Sequence, residues 1–591
     1  MTTVAAAMVR TRRLPAAGPL LLLAPALLFL TLAYLYPLGW LAQISVDGTS
    51  LSLEHYRKFF GTPSYLRVTW HTLQVSAAVT LVTLLLAYPT AYLIAQSRGR
   101  KARLMLLLVL VPYLTSFLVR SYAWIVLLNR QGLVNQALID LGLIERPLDL
   151  LYNGFSVHVG MVHVMLPLMA LPLYSVMRRI DPRLVRAAAT LGAPPLRAHF
   201  RVFLPASLPG VASGCLLVFL LCLGFFITPA LLGGLKDTML AAFIEARMSQ
   251  LLDWGGASAA AFVLLGVTLL GFFLAGRFFG FGAILMPGLA ENRGEAPRLS
   301  WLRALRRLPP FSWAAKLTAR LRARRWRRGS AHLWTRSLGR WTLRLFVGLV
   351  MLYLAAPIAI VVLVSFNEAT HLSFPPEALS LRWYRRYLED PQWLEATWLS
   401  LEVAALTAAF ATAIGTLAAY ALSRHRLPGR SALLALLLSP LVVPAIVLAV
   451  AMYGQQTRWG LIGTTGGLVM AHSVAAVSYV VIIASAAFAT LDRRLEQAAA
   501  SLGATPWRGF LRVVLPLVKP GIASAAIFAF IHSFDEVVIT LFVAGVQRRT
   551  LPLKMWEFIH HELDPTIAAV SSLLILLALL PLLVGRGRAA M

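Results

Sequence analysis

The chain has 591 residues, 59% of them hydrophobic and only 13% charged, with a formal net charge of +30 and a mean hydropathy of +0.74. Soluble domains carry about 25% charged residues, so this composition excludes an ordinary soluble fold and points to an integral membrane protein. The excess of positive charge admits two readings, a nucleic-acid binder meeting phosphates or a membrane protein with basic inner loops, and position along the chain decides between them.

A helix needs about 20 apolar residues to cross a bilayer. Twelve runs of that kind are present, at residues 19–40, 69–95, 104–128, 155–177, 210–232 and 258–276, then 341–365, 397–422, 431–453, 466–491, 520–545 and 566–584. The first run follows Arg10, Arg12 and Arg13 and so resembles a signal sequence. It is longer than the usual signal core of about 7–15 residues and has no clear small-x-small cleavage site, and it is read as a spanning helix. Cys215 and Cys222 fall in the fifth run, roughly 10 Å apart along a helix, too far for a disulfide, and are read as small core residues.

With the N-terminus inside, 39 of the 54 Lys and Arg fall in inner segments, 14 in outer loops, and Arg120 within the third run. Of the acidic residues only Asp181, Glu291, Glu295, Asp492 and Glu496 lie inside. This bias places both termini in the cytoplasm and removes the motive for a nucleic-acid partner. The inner segment from Arg277 to Arg344 mixes Pro and Gly with arginines (Arg322, Arg324, Arg325, Arg327, Arg328) and tryptophans (Trp301, Trp313, Trp326, Trp334). It reads as a tether between two modules, with a helix on an anionic leaflet as the alternative.

The two modules are copies. An offset of 328 pairs Tyr56 with Tyr384, Trp70 with Trp398, Leu73 with Leu401, Tyr92 with Tyr420 and Pro112 with Pro440. Beyond the fourth run the offset is 311, pairing Asp181, Arg183 and Leu184 with Asp492, Arg494 and Leu495. The same offset pairs Ala187, Ala188 and Ala189 with Ala498, Ala499 and Ala500, and Gly192 with Gly503. Further on, Leu204-Pro205 meets Leu515-Pro516, and Pro209-Gly210 meets Pro520-Gly521. The fold class is therefore all-α integral membrane, with twelve spans in two parallel pseudo-symmetric six-helix units. The first unit takes residues 1–285, the basic linker 286–340 and the second unit 341–591, with a central path expected between the halves.

The matched loop has a physical logic. A short alanine-rich helix ends at a glycine, which suits a helix C-terminus and a sharp turn, and a second amphipathic stretch runs on to Leu-Pro. Small side chains let such a helix seat closely on another protein. An ordinary helical hairpin would explain one copy; two inner copies at matching places favour docking. Here the sequence resembles the permeases of ABC importers, whose signature is Glu-Ala-Ala, three residues, Gly, then a downstream Leu-Pro. The resemblance implies that Ala187, Ala188, Gly192, Leu204 and Pro205, with Ala498, Ala499, Gly503, Leu515 and Pro516, form two coupling loops that dock on ATPase subunits. At the acidic position this chain has Arg186 and Gln497, with Glu496 one step earlier, and Glu496 is counted with the second coupling loop.

The likeness is strongest to spermidine/putrescine permeases. The first half resembles one of their two subunits through residues 110–122, 166–175 and 231–234. The second resembles the other through Ser365-Phe366-Asn367, residues 533–538 and Leu551-Pro552-Leu553-Lys554. The resemblance implies a non-catalytic permease in the bacterial inner membrane, two copies of an ABC ATPase, a periplasmic or extracellular binding protein and a small solute, with a polyamine favoured. Iron(III), opine, phosphonate or thiamine importers use related permeases, and a twelve-span secondary transporter is a more distant alternative. No GxxxxGK[ST] segment occurs, so no cofactor is expected in this chain, and ATP and Mg are expected on the partner.

Charge inside a span is costly and points to function. Asp535 and Glu536 in the eleventh run are candidates to meet a cation in transit, with Tyr113, Tyr122 and Trp124 as aromatic faces. The competing reading is that Asp535 or Glu536 pairs with a nearby positive residue or caps a broken helix. Glu402 and Arg120 are expected to snorkel at outer helix ends. His560-His561-Glu562 is an isolated outer-loop triplet and weak evidence for a metal, His158 and His163 lack the i, i+4 spacing of a helical metal pair, and no metal is expected.

Overall fold

In a hydrocarbon layer every backbone N–H and C=O must find its partner within the chain, so long apolar runs become helices. A computed structural model describes residues 17–47, 51–279, 332–369, 378–425, 427–561 and 565–584. Of the basic linker, residues 286–331 lie outside these. The regular structure of the described residues is helical, apart from an isolated antiparallel bridge between Asn367 and Leu379.

Among the described residues, nine helices are long and apolar enough to cross a membrane: Leu20–Ser45, Pro63–Gln96, Gly154–Arg179, Pro195–Leu223, Trp254–Leu274, Trp341–Val364, Pro391–Arg424, Thr465–Thr490 and Pro506–Phe534. The third and ninth runs are bent pairs. Gly99–Leu114 turns by 99° into Phe117–Asp140, and Arg430–Leu441 turns by 90° into Ala445–Trp459. The repeat-matched Pro112 and Pro440 sit just before the two bends, where a missing N–H loosens the helix. Ser116 restarts the first of these, its Oγ accepting the Leu118 N–H at 3.3 Å. Counting each bent pair as one span gives eleven, and the twelfth run holds a shorter apolar helix, Thr566–Leu577.

The fifth and eleventh runs differ from expectation. Neither is one continuous helix. Leu204–Leu223 stops at Gly224 and resumes as Ile227–Leu232, and Leu515–Phe534 stops at Asp535 and resumes as Val538–Val543. Arg120 is a second correction, because it does not snorkel. It is 2% exposed, donates to the Ser116 and Val164 carbonyls at 3.4 and 3.5 Å, and lies over the Phe117 ring at 4.7 Å. Glu402 is exposed.

Two compact units emerge, and they cross the sequence repeat. One contains Met1–Phe59, Arg247–Phe262 and Asp390–Glu557; the other contains Phe60–Ala246, Val263–Glu389 and Phe558–Met591. In the former, the lead helix Leu20–Ser45 packs on Pro391–Arg424 and Ala445–Trp459. Phe29 meets Phe410 edge-on at 5.0 Å, Gln455 donates to the Leu32 carbonyl at 3.0 Å, and a Cβ at Gly454 would strike the Trp40 ring. In the latter, His332–Val364 packs on Pro63–Gln96, Gly99–Leu114 and Phe117–Leu128. Tyr353 there donates to the Val159 carbonyl at 2.6 Å. Each unit thus takes its lead helix from one sequence half and its next four spans from the other.

Within each unit the same contacts recur at the repeat offsets. The Leu240 N–H donates to Thr72 Oγ1 at 2.8 Å, and the Leu551 N–H to Ser400 Oγ at 2.7 Å. Small residues bring helices together in lipid, where packing drives association. A Cβ at Gly210 would lie 3.1 Å from that of Val176, and one at the matching Gly521 2.4 Å from that of Ala487.

Candidate functional site

The two matched loops fold alike from their capping residues upward. Asp181 accepts the Arg183 N–H at 2.8 Å and opens the helix Pro182–Thr190; Asp492 accepts the Arg494 N–H at 2.9 Å and opens Arg493–Ser501. The alanines and glycine then close each helix. The Leu191 N–H reaches the Ala187 carbonyl at 3.1 Å, Gly192 reaches Ala189 at 3.0 Å, and Ala193 reaches Ala188 at 3.0 Å. In the second copy Leu502 reaches Ala498 at 3.1 Å, Gly503 reaches Ala500 at 3.0 Å, and Ala504 reaches Ala499 at 3.0 Å. These backward bonds need a left-handed residue, and φ is +79° at Gly192 and +83° at Gly503.

The glycine-closed end of each loop is apolar and unhindered. Leu191 and Leu502, each next to its glycine, are 88% and 89% exposed. Pro182–Thr190 buries no residue, and Arg493–Ser501 buries only Ala499. A Cβ on either glycine would meet nothing within 4 Å. Each copy thus carries an exposed leucine directly before a left-handed glycine and an alanine.

The downstream Leu-Pro pairs shape how each loop joins its span. Pro205 and Pro516 stand in the first turn of Leu204–Leu223 and Leu515–Phe534. Neither offers an N–H to the carbonyl four residues back, Arg201 or Arg512, and the turn holding that carbonyl widens to a π-helix in both copies, His199–Phe203 and Phe510–Val514. Leu515 packs against a buried cluster of Ala419, Ala484, Phe488, Phe510, Val514 and Val518.

Glu496 faces its own span. Arg424 Nε stands 2.8 Å from Glu496 Oε1, a charge contact without the alignment of a hydrogen bond, and Tyr420 donates to Oε2 at 3.3 Å. Arg424 also donates to the Leu491 carbonyl at 3.1 Å, and Arg493 to the Ser423 carbonyl at 2.9 Å. Neighbouring His425 is held below the usual imidazole range, by burial first, with Glu496 opposing and Arg493 adding. Sequence reading found Glu496 but missed Arg424; the paired tyrosines Tyr92 and Tyr420 were the available signal.

The candidates for the solute path fall in separate places. Asp535 and Glu536 belong to one compact unit, and Tyr113, Tyr122 and Trp124 to the other. Both carboxylates are half-buried at the break in the eleventh run. Asp535 ends one helix through its N–H to the Ile531 carbonyl at 3.1 Å, and Glu536 Oε1 accepts the Ile539 N–H at 3.0 Å, capping the next. A buried polar group flanks that break: His472 sits 2.8 Å from Ser533 Oγ and 2.9 Å from Thr540 Oγ1. Tyr122 is fully buried and Trp124 7% exposed, the latter packed on Tyr353 at 5.3 Å and His163 at 5.7 Å, while Tyr113 is half-buried. Glu562 lies outside the described residues.

The family described as "Binding-protein-dependent transport system inner membrane component" matches the chain twice, at residues 87–279 and 411–586. The chain is 37% identical over 220 residues to the spermidine/putrescine transport system permease protein PotB of Haemophilus influenzae, covering 37% of this chain and 76% of that protein. It is 32% identical over 238 residues to the putrescine transport system permease protein PotI of Escherichia coli, covering 39% and 84%. A solved bacterial alginate ABC transporter, in complex with an alginate pentasaccharide-bound periplasmic protein, aligns with a TM-score of 0.39 at 16% identity, over 44% of this chain and 92% of that one.

Proposed function

Since the chain belongs to the family of binding-protein-dependent transport system inner membrane components, we propose that it is the fused two-half permease of an ATP-driven polyamine importer. The observation that carries this reading is the double match: both family segments lie in one chain, each with its own glycine-closed, leucine-tipped loop. Two permease halves ordinarily supplied separately are here one polypeptide, so one copy would bind two ATPase subunits. Ala187, Ala188 and Gly192, with Leu191, would receive one; Ala498, Ala499 and Gly503, with Leu502, would receive the other. Leu204-Pro205 and Leu515-Pro516 would carry the displacement into the spans through the widened turns. The permease itself breaks no bond: ATP and Mg act on the ATPase, and a binding protein delivers the solute on the opposite face. The basic-inside bias puts the loops and both termini in the cytoplasm.

The polyamine assignment rests on the likeness to spermidine and putrescine permeases and on the half-buried carboxylates at the break of the eleventh run. A diammonium ion leaving water needs compensating negative charge, and a charge-assisted hydrogen bond contributes roughly 1.5–3 kcal/mol. Asp535→Asn should therefore lower uptake of labelled putrescine about ten- to a hundredfold per permease molecule, with membrane abundance unchanged. Glu536 would act through the helix it caps. The test uses vesicles holding the permease with its ATPase and binding protein. Absence of both putrescine and spermidine uptake by the wild type removes the substrate class, and normal per-molecule uptake by Asp535→Asn removes that residue from the path.

A further inference from the structure

The two loops look alike from the partner's side but are held differently from behind. In the second copy the loop helix is tied to the end of Pro391–Arg424 by the Arg424–Glu496 charge pair, the Tyr420 hydroxyl and the Arg493–Ser423 bond. Arg424 keeps only 6% of its side chain exposed and Glu496 24%, so water screens this pair less than a surface one. Tyr420 is wedged between Phe488 and Phe510, at 5.5 and 4.7 Å between ring centres, which fixes the hydroxyl. In the first copy the offsets place Gln96 where Arg424 stands and Val185 where Glu496 stands. Both members of the pair are replaced together, and Gln with Val cannot form an ion pair. The carbonyl matching that of Ser423 belongs to Ala95, and it is taken by Arg178 at 3.0 Å, a residue of the span Gly154–Arg179 rather than of the loop helix.

We propose that Arg424 and Glu496 are a positioning pair that latches the second loop helix to its membrane span, so that the two ATPase-facing loops transmit motion unequally, through an ion pair in the second half and without one at the matching positions of the first. The inference rests on the docking role assigned to these loops. Glu496 then serves the span behind it, and the partner meets the exposed Leu502 edge instead.

The test uses the full chain reconstituted with its ATPase and binding protein, reading ATPase capture, stimulated ATP hydrolysis and labelled spermidine uptake. Glu496→Arg should leave capture of the ATPase intact but lower uptake per ATP hydrolysed about tenfold or more, the size expected for one charged contact. The exchanged pair Arg424→Glu with Glu496→Arg should recover most of that loss. The milder Glu496→Gln, with membrane abundance measured alongside, should show a smaller loss and separates coupling from a folding defect. Gln96→Arg with Val185→Glu, which builds the pair into the first copy, should not lower capture. Loss of ATPase capture in Glu496→Arg that the exchanged pair does not restore would make Glu496 a partner contact and overturn the latch. Unchanged coupling in Glu496→Arg would also overturn it. If Gly192→Leu and Gly503→Leu both leave capture intact, the docking role itself falls, which is a distinguishable failure.

Discussion

Replacing Gly503, or its counterpart Gly192, separates a backbone cost from a surface cost. At φ of +83° and +79°, most side chains meet the left-handed penalty of about 1 kcal/mol. No further cost arises within the chain, since a Cβ at either position meets nothing within 4 Å. For a chain of this size about 1 kcal/mol moves the melting temperature by roughly 2 °C or less, so Gly503→Leu should insert and fold. Gly503→Asn should be close to neutral for stability, because Asn tolerates this conformation. The leucine adds bulk beside Leu502, on the bare edge where the ATPase would seat. Binding-protein-stimulated ATP hydrolysis in vesicles should therefore fall about tenfold or more in Gly503→Leu, far beyond what its stability loss explains. Gly503→Ala should fall between. Wild-type stimulation in both Gly192→Leu and Gly503→Leu would refute the reasoning.

Three further outcomes are expected. Cutting the chain at Gly329 should preserve transport when both pieces are co-expressed, whereas either piece alone should be unstable, because each compact unit takes its lead helix from the other sequence half; membrane abundance of the single and paired fragments checks this. Ser400→Ala should cost about 1–3 kcal/mol by stranding the buried Leu551 N–H, while Ser400→Thr should be nearly neutral because Thr72 makes the same bond in the first copy; thermal melting in detergent reads both. Asp253 is pushed up by burial, but the Gly256 N–H, Arg247 and Lys58 outweigh this and hold its carboxyl below the usual range. Its contribution is thus present above the ordinary carboxylate pKa and lost as pH falls through the lower folded value, so the melting gap between wild type and Asp253→Asn should be constant near neutrality and close below about pH 4.

Transfer to lipid depends on composition summed along the chain, and that much can be read in one dimension. The apolar runs, the basic-inside bias and the repeat at offsets of 328 and 311 follow from residue order alone. So does the closure of each loop, because Asp at the cap, three alanines and a glycine form a local code of four to six bonds within about a dozen residues. Apolarity says nothing of where a helix breaks. The stops at Gly224 and Asp535, and the turns beyond Pro112 and Pro440, depend on which backbone bonds close, and a broken run is as apolar as an intact one. Nor does it say which helix packs on which: the exchange of lead helices between sequence halves is a choice among equally greasy surfaces. Arg120 reads as a snorkelling cation until the bend at Ser116 carries it inward, to the Val164 carbonyl 44 residues away. Arg424 and Glu496 are 72 residues apart, and only the packing of Pro391–Arg424 against the loop turns two unremarked charges into a pair.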